Sequence, residues 1–332
     1  MKKTAAYYIA IFILACLVSC DIGDPIFNPS GIYYTDFMRL TNCYGNQENV
    51  HPKVLFFPDS LFGHRYWMAY TPYPCGEPKY ENPCVAYSDD GINWNNATRN
   101  PLDVPKDQNL KYNSDTHLVY NEQTKRLEVW FRYADEEKQK EIIYRMQSED
   151  GFKWQPKEEM HVNDTTKNFA LFLCPTVIHE DNEYHIWTVN LQKKEVEFYT
   201  SQHGDNWQYK HSIKLDYNAD GIAYYPWHMD IIRDEEKYIM CMMVKGYNTT
   251  SSWCLFYTES EDNVKWSTPV IMLKPRKTYW DAYLYRSSLV KTDEGYSLYY
   301  SAKDNRHFGM GLLKADQPNG FLERKGLTEN TD

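Results

Sequence analysis

The sequence predicts an all-β protein, a five-bladed β-propeller of four-stranded antiparallel blades. Two observations lead to this prediction: a short turn motif recurs four times along the chain, and clusters of β-rich runs lie between the recurrences. The spacing of the motif is close to the roughly 50 residues that are typical of propeller blades. The aromatic content, with 29 Tyr, 14 Phe and 10 Trp, also favours strands, because aromatic side chains pack well on sheets.

The chain begins with features of an export signal. Two lysines precede an apolar run, residues 7–18, that is too short for a membrane span and ends in Leu17-Val18-Ser19-Cys20. This ending resembles the signal of bacterial lipoproteins, in which the cysteine is lipidated and becomes the first residue of the mature chain. We therefore predict a signal peptide over residues 1–19, lipidation of Cys20 and a tether over residues 20–30. The chain would be exported and anchored to the cell envelope, at the outer membrane surface or in the periplasm; an ordinary signal peptide is the alternative.

The remaining residues, 31–332, are predicted to form a single propeller domain. The chain has 36 basic and 46 acidic residues and a net charge of −10, which argues against nucleic acid as the main partner. A neutral or cationic ligand fits this charge better. Tyrosine and tryptophan side chains provide partly solvated aromatic surfaces on which sugars can stack. A carbohydrate partner, an oligo- or polysaccharide, is compatible with these features, although the packing of propeller sheets accounts for most of the aromatic residues.

Six cysteines remain beyond the predicted lipidation site. Cys241 and Cys254 flank a predicted hairpin loop, and Cys75 and Cys84 flank a second loop in the same way. An exported chain permits disulfides, and cysteine is also a small core hydrophobe. Each pair is therefore predicted to be either a disulfide or two buried thiols.

The recurring motif begins with serine and ends with tryptophan. An Asp-Gly or Asp-Asn step makes a tight turn between two strands, the serine bonds the backbone of the turn, and the tryptophan plugs between adjacent sheets. Asp90 and Asp150 are therefore predicted to be structural and to lie on the face opposite the functional site. The four copies, with tryptophans 60, 53 and 59 residues apart, are residues 88–94, 148–154, 201–207 and 260–266.

Three β-rich runs per unit fill the intervals between these turns. The fifth unit has no closing tryptophan, so we expect the N-terminal segment near residues 33–40 to complete it and to remove an exposed sheet edge. The predicted strands are 54–57, 66–70 and 84–87; 117–120, 127–133 and 142–146; 176–179, 184–189 and 196–200; 229–232, 238–244 and 253–258; and 288–290, 296–302 and 310–313.

This arrangement resembles the five-bladed propellers of glycoside hydrolase families 43 and 130, over nearly the whole mature chain. It also resembles Bacteroidetes lipoproteins of that type, through His51-Pro52, residues 66–74 and residues 80–83. The resemblance implies a funnel at the face where the inner strand of every blade begins. The matching positions around the axis are His51-Pro52, Ser114-Asp115, Cys174-Pro175, Trp227-His228 and Tyr285-Arg286.

Family 43 enzymes place an Asp base on blade one, a second Asp on blade two, a Glu acid on blade three, a His on blade four and an Arg on blade five. Asp115, His228 and Arg286 match three of these positions. Blade one offers His51-Pro52 where an Asp is expected, and blade three offers Cys174-Pro175 where a Glu is expected. The usual carboxylate pair is therefore not in its usual place.

Glycoside hydrolysis generally needs one carboxylic acid to protonate the leaving oxygen and one carboxylate to activate water or to attack. We therefore predict a relocated pair, with Glu81 as acid and Asp115 as base or as the residue that tunes the acid. His51 is predicted to act as base or substrate donor, and His228 and Arg286 to hold the substrate. Further substrate-binding candidates are Trp227, Asp230, Tyr73, Tyr283, Asp281 and His117.

Structural roles compete with these assignments. Asp115 can cap a strand, and Asp230 can bond His228. Arg286 can pair with Asp115 or Asp281, and the aromatic side chains can simply pack. Two other functions stay open: a glycan-binding lipoprotein without catalysis, and a lyase that uses His or Tyr beside Arg286. No cofactor and no metal ligand is predicted, because no short His motif is present, although a structural cation in the funnel stays open.

Overall fold

The computed structural model describes residues 37–97, 99–108, 110–138, 140–162, 173–247, 253–276, 279–304 and 306–321. Within these ranges the chain forms twenty β-strands and three short 3₁₀ segments, without an α-helix. Accordingly, no helix in these ranges has the length and apolar character that crossing a membrane requires. The predicted all-β class is confirmed. The predicted signal peptide, Cys20 and the tether lie outside the described residues.

The strands form five antiparallel units of four, named here blades I to V, and confirm the predicted architecture. Blade I contains β2 (Asn49–Phe56), β3 (Tyr66–Pro72), β4 (Cys84–Ser88) and β5 (Asn95–Asn96). Blade II contains β6 (Lys111–Asn121), β7 (Arg126–Asp135), β8 (Lys140–Ser148) and β9 (Glu158–Val162). Blade III contains β10 (Leu173–Glu180), β11 (Glu183–Asn190), β12 (Glu195–Ser201) and β13 (Asn206–Ile213). Blade IV contains β14 (Tyr224–Asp234), β15 (Lys237–Gly246), β16 (Trp253–Ser260) and β17 (Val270–Leu273).

Blade V contains β18 (Tyr283–Thr292), β19 (Gly295–Lys303), β20 (Phe308–Ala315) and, as its fourth strand, the N-terminal β1 (Phe37–Met38). Phe37 pairs with Gly311 and Met38 with Met310. The expected completion of the last blade by the N-terminal segment is therefore confirmed. The innermost strands contact one another in a closed ring that runs from β2 through β6, β10, β14 and β18 back to β2.

Five apolar clusters fill the five gaps between adjacent blades. The indole side chains of Trp67, Trp130 and Trp187 are completely buried in these gaps. At the edge of the ring, β13 of blade III also pairs in parallel with β9 of blade II. Burial between blades, rather than within one sheet, is the main apolar contribution to stability, because each blade alone leaves both faces open.

The turn motif has a consistent contact in all four copies: its Gly or Asn lies against an aromatic side chain from the preceding blade. Three of these residues are glycines with positive φ, which avoid a Cβ where the aromatic ring lies. Asn263 instead accepts a hydrogen bond from the indole nitrogen of the facing tryptophan at 2.9 Å. The four contacts are Gly91 with Tyr299, Gly151 with Trp67, Gly204 with Trp130, and Asn263 with Trp187.

The aspartates of the motif hold the turn itself. Asp90 Oδ1 accepts hydrogen bonds from the backbone nitrogens of Ile92 and Asn93, at 2.8 and 2.7 Å. Asp150 accepts the equivalent pair from Phe152 and Lys153. These bonds agree with the predicted structural role, and the turns join the third and fourth strands, at the end of each blade away from the start of the inner strand.

The two predicted cysteine pairs are not disulfides. Cys241 lies opposite Tyr257 and Cys254 lies opposite Val244, so the two side chains point to opposite faces of blade IV and enter different apolar clusters. Cys84 is a free, buried thiol whose Sγ lies 3.9 Å from Sγ of Cys43. Cys241 and Cys254 are therefore buried thiols, the second of the two options, and Cys84 faces Cys43.

Replacement of Gly151 by Ala should strongly destabilise the protein. A Cβ at this position would lie 2.3 Å from Cη2 of Trp67, and φ is +76°. We expect about 1–2 kcal/mol from the left-handed backbone and about 1–3 kcal/mol more from overpacking, measured by urea unfolding. Gly221→Ala is the matched control: φ is +74° there and no atom lies within 4 Å, so only the backbone contribution should appear. Equal losses for the two variants would contradict this account.

Candidate functional site

The inner strand of every blade carries one extra residue near its start. Residues 51 and 52 stand opposite one residue of β3, and residues 115–116, 174–175 and 285–286 do the same in blades II, III and V. In blade IV, Trp227 is the extra residue. His51, Asp115 and Cys174 adopt positive φ values of 53–56°, unusual for residues with a Cβ. Bulges re-aim side chains, and here they place residues of blades I, II and IV around one centre.

Three of these side chains converge on one point. His51 Nε2 lies 3.7 Å from Asp115 Oδ1, and His228 Nδ1 lies 3.3 Å from the same oxygen. The three ligand atoms lie within 4.8 Å of one another, and all three side chains are at least 97% buried. Each of these atoms lacks a hydrogen-bond partner in the described structure. Buried polar atoms are normally satisfied, so the three orphaned atoms mark a point where a further group fits.

Neighbouring side chains fix the direction of this cluster. Thr71 Oγ1 lies 2.8 Å from His51 Nδ1, which leaves Nε2 of the ring facing the centre. Ser114 Oγ donates to Asp115 Oδ2 at 3.1 Å, and Arg132 lies 3.9 Å from that same oxygen. Asp115 therefore presents its Oδ1 to the two imidazoles while its Oδ2 is held from behind. Such outer contacts orient the ligands of a metal site.

The ionisation states follow from burial and from neighbouring charges. Burial lowers the pKa of His228 to about 4, against a smaller opposing effect of Asp115, and burial likewise lowers the pKa of His51 well below its usual value. Burial opposes ionisation of Asp115, but its close contact with His228 and the charge of Arg132 outweigh burial, so its pKa lies below the usual range. The cluster therefore contains two neutral imidazoles and one carboxylate, a donor set that suits divalent transition metals.

Glu81 lies beside this cluster, directly after the 3₁₀ segment Pro78–Tyr80. Burial, and then the charge of Asp115, raises the pKa of Glu81 well above its usual value, while Arg132 and a hydrogen bond with Tyr73 act in the opposite direction. The two carboxyl groups therefore differ sharply, since the pKa of Asp115 lies below its usual value and the pKa of Glu81 lies above its usual value. Environments that push two pKa values apart are typical of acid and base roles.

Arg286 and His117 form a second buried pair on the axis. Arg286 donates to His117 Nδ1 at 2.8 Å and to the carbonyl of Pro175 at 3.4 Å, while His117 Nε2 lies 3.1 Å from the carbonyl of Val177. His117 is thus a neutral imidazole with Nδ1 as acceptor and Nε2 as donor. Nε and one terminal nitrogen of Arg286 have no partner in the described structure. The expected pairing of Arg286 with Asp115 or Asp281 is replaced by the contact with His117.

Two predicted site carboxylates have structural partners. Asp230 accepts from Lys53 Nζ at 2.6 Å and from the backbone nitrogen of Leu289 at 3.0 Å, and it thereby links blades I, IV and V. It bonds Lys53 where the sequence suggested His228. Asp281 accepts two hydrogen bonds from Arg276 Nε, at 2.9 and 2.7 Å. Their predicted roles in substrate binding stay predictions.

The predicted aromatic residues lie around the cluster and are half-exposed. Trp227 is next to His228 in the blade IV bulge, with ring centroids 6.1 Å apart. Tyr73 packs on Phe308 at 4.8 Å and bonds Glu81. Tyr283 packs at 5.6 Å on the ring of Trp253. These side chains therefore occupy the solvent side of the site, where sugar faces can stack.

Sequence reasoning missed several residues of this centre. Tyr285 packs against the rings of His51 and His228, at 5.3 and 4.4 Å. Arg132 lies behind Asp115, and Lys245 lies over the ring of Trp227 at 3.3 Å. The sequence predicts that Tyr285 and Arg286 lie together at the start of an inner strand, but a functional role was predicted only for Arg286. Arg132 and Lys245 lie on second strands, and no local pattern marks them.

The fold and this centre together define a five-bladed propeller with two histidines and one aspartate clustered at its axis. No family model matches the chain. The chain is 24% identical over 306 residues to the A type blood N-acetyl-α-D-galactosamine deacetylase of Flavonifractor plautii; the match covers 77% of this chain but 39% of that protein. The chain thus spans about two fifths of the length of this curated relative.

Solved structures show the same fold. A crystal structure of an N-acetylgalactosamine deacetylase from F. plautii, in complex with blood group B trisaccharide, matches with a TM-score of 0.71 and 19% identity, over 84% of this chain and 93% of that chain. A glycosyl hydrolase from Bacteroides ovatus matches with a TM-score of 0.60 and 11% identity, over 82% of this chain and 86% of that chain. The resemblance to glycoside hydrolase propellers is thus confirmed as a resemblance of fold.

The stability of the metal-free protein should fall as the pH falls from about 6.5 to about 4. The pKa of His228 is about 4 in the folded protein and about 6.5 in the unfolded chain. Between these two pH values, His228 is protonated in the unfolded chain but not in the folded protein. The stability present above the unfolded pKa is then lost by about 3 kcal/mol at the acid end. Urea unfolding with a chelator at several pH values measures this loss.

Two variants test the assignment of this pH dependence. His228→Asn should make the curve shallower, because it removes one of the buried groups that lose stability as the pH falls. His64→Asn should leave the curve unchanged, since His64 pairs with the exposed Asp89 on the surface. A curve with the same slope in His228→Asn and in the parent protein would contradict the buried neutral state of His228.

Proposed function

We propose that this protein is a carbohydrate-active hydrolase that removes the acetyl group from an N-acetylated sugar, with His51, Asp115 and His228 holding a divalent cation. The observation that carries this proposal is the convergence of three buried, orphaned ligand atoms within 4.8 Å. The sequence similarity to a sugar deacetylase supports the substrate class. This proposal replaces the expectation of a metal-free site, because the ligands come from three different blades and leave no sequence motif.

The donor set fits a cation in its chemistry as well as in its position. Both imidazoles are neutral and Asp115 is ionised, which are the states that metal binding requires. His51, Asp115 and His228 would hold such a cation, which would supply polarisation of an acyl carbonyl and a lowered pKa of a water molecule. Thr71, Ser114 and Arg132 keep the ligand atoms directed toward the centre.

Glu81 is suited to the proton transfers of amide hydrolysis. In that reaction water adds to the acyl carbon, the C–N bond breaks, and the amine leaves with a proton that derives from the water. A carboxyl group with a pKa above its usual value accepts a proton more readily than an ordinary carboxylate does, and burial next to Asp115 shifts the pKa of Glu81 in that direction. We therefore assign Glu81 the role of general base and then general acid. Half-exposed Trp227 and Tyr73 would bind the sugar.

Glycoside hydrolysis is the second candidate, and one observation favours it. The pKa of Glu81 lies above its usual value while that of Asp115 lies below it, the division that an acid and a carboxylate need. Against it, both oxygens of Asp115 face other groups, with His51 and His228 at Oδ1 and Ser114 and Arg132 at Oδ2. A carboxylate so enclosed is poorly placed to attack a sugar or to activate water.

Metal dependence and product identity separate the two functions. We expect the protein to release acetate from N-acetylgalactosamine glycosides, to lose this activity with a chelator and to regain it with Zn²⁺, Mn²⁺ or Co²⁺. Asp115→Asn and His228→Asn should lose bound metal and activity together. Glu81→Gln should retain metal and lose about 10²–10⁴ in kcat. His64→Asn, which alters an exposed His–Asp pair, is the matched control and should behave as the parent protein.

Two results would overturn the deacetylase assignment. Acetate release that is indifferent to chelation would remove the cation from the mechanism. New reducing ends without acetate, formed without metal and lost in Glu81→Gln, would establish glycoside hydrolysis in its place.

We also propose that the protein is exported and anchored to the cell envelope through lipid on Cys20. The support is the basic, apolar and small-residue order of residues 1–19 followed by cysteine. The full chain expressed in a bacterium with a lipoprotein pathway should partition into detergent and incorporate labelled fatty acid. Cys20→Ser should abolish both, and Cys16→Ser is the matched control. Unchanged labelling in Cys20→Ser would refute the anchor.

A further inference from the structure

Two lysines share one aromatic pocket beside the candidate metal site. Lys245 on β15 places Nζ 3.3 Å from the ring centroid of Trp227 and 4.6 Å from that of Trp253. Lys303 on β19 places Nζ 5.4 Å from the same ring of Trp253 and 5.5 Å from the ring of Tyr283. Both ammonium groups therefore lie close to one indole, with aromatic rings on several sides.

Neither lysine has a carboxylate partner among the residues that the structure describes. Two other surface lysines do have one: Lys237 pairs with Glu259 at 2.9 Å, and Lys291 pairs with Asp234 at 2.7 Å. Burial, and then the charge of Lys303, lowers the pKa of Lys245 to about 8. Two like charges in one partly desolvated pocket repel each other. A negatively charged ligand group would relieve this repulsion.

The pocket adjoins the proposed catalytic centre. Trp227 directly precedes His228, and the ring of Trp253 lies 6.0 Å from that of Tyr285, which in turn lies 4.4 Å from the ring of His228. One layer of aromatic side chains thus separates the two lysines from the cluster. A glycan whose reacting sugar is held at the cluster would therefore extend over this aromatic layer, toward the two lysines, with its next sugar.

We propose that Lys245 and Lys303 form a subsite for an anionic substituent, a carboxylate or a sulfate, on the sugar next to the one that carries the acetyl group. The rings of Trp227, Trp253 and Tyr283 supply apolar surface for that sugar and reduce solvent screening around its charge. The chain has a net charge of −10, so an uncompensated pair of cations is a local reversal of its overall charge. The inference rests on the proposed function only for the identity of the acetylated sugar.

Binding measurements with paired ligands test this subsite. The probes are a chondroitin tetrasaccharide, which alternates N-acetylgalactosamine with glucuronate, and the same tetrasaccharide with its carboxylates reduced to alcohols. We expect the charged form to bind at least about tenfold more tightly by calorimetry. The difference should shrink as salt rises from about 50 to about 300 mM. A sulfated and an unsulfated N-acetyllactosamine form a second pair, which distinguishes a sulfate preference from a carboxylate preference.

Charge-removing variants locate the effect. Lys245→Gln with Lys303→Gln keeps most of each side chain's apolar stem and should abolish the preference for the anionic form of both pairs. Lys303→Gln alone should reduce this preference, and it keeps the test informative if the double variant misfolds. Lys237→Gln is the matched control and should keep the full preference. Equal affinities for charged and neutral forms, or a preference unchanged in the double variant, would overturn the proposal.

The binding assay uses the full chain with Glu81→Gln, so that no turnover intervenes. Failure of this inference and failure of the proposed function are then distinguishable. A lysine-dependent preference for anions without any acetate release by the parent protein would remove the deacetylase function and keep the subsite. Acetate release from neutral and anionic glycans at equal efficiency, unchanged in the double lysine variant, would keep the function and remove the subsite.

Discussion

One extra residue in each inner strand determines the chemistry of this protein. A regular strand would alternate its side chains between the two gaps that flank a blade, and no side chain would face the axis. The bulge breaks this alternation at the same height in all five blades. Three of the bulges also hold a residue with positive φ, a conformation that persists only because the surrounding ring enforces it. His51 and Asp115 owe their inward orientation to this constraint.

The axis is consequently a buried polar region, which a protein must satisfy internally. Lys53 and Asp230 neutralise each other across three blades, and Arg286 and His117 bond each other and two backbone carbonyls. Most of the orphaned polar atoms near the axis belong to the His51, Asp115 and His228 cluster and to Arg286. A ligand gains most where the protein leaves its own groups unsatisfied. This contrast between satisfied and unsatisfied neighbours is the physical basis for placing the reaction at the cluster.

Structural and chemical tasks are separated onto the two ends of the blades. At one end the Ser-to-Trp turns dock on aromatic rings of the preceding blade and hold the ring together. At the other end the bulges and the loop that carries Glu81 form the site. Residues at the turn end can therefore be fixed by packing alone, whereas residues at the site end retain unused hydrogen-bonding capacity. The lysine pair beside Trp227 and Trp253 belongs to this second end.

The sequence alone determined the fold and the positions at which the site would form. The repeated turn marked four of the blades, because each copy needs the same local hydrogen bonds and the same glycine or asparagine conformation, and both are properties of a few adjacent residues; the β-rich runs after the last turn indicated the fifth blade. Counting along each unit then placed His51, Asp115, His228 and Arg286 at the inner-strand starts.

Only the tertiary structure decided which of these side chains meet and what each one contacts. Asp230 pairs with Lys53, Asp281 pairs with Arg276, and Cys241 and Cys254 point to opposite faces. Such contacts join residues from different blades, and their distances depend on the closure of the whole ring, which no local pattern encodes.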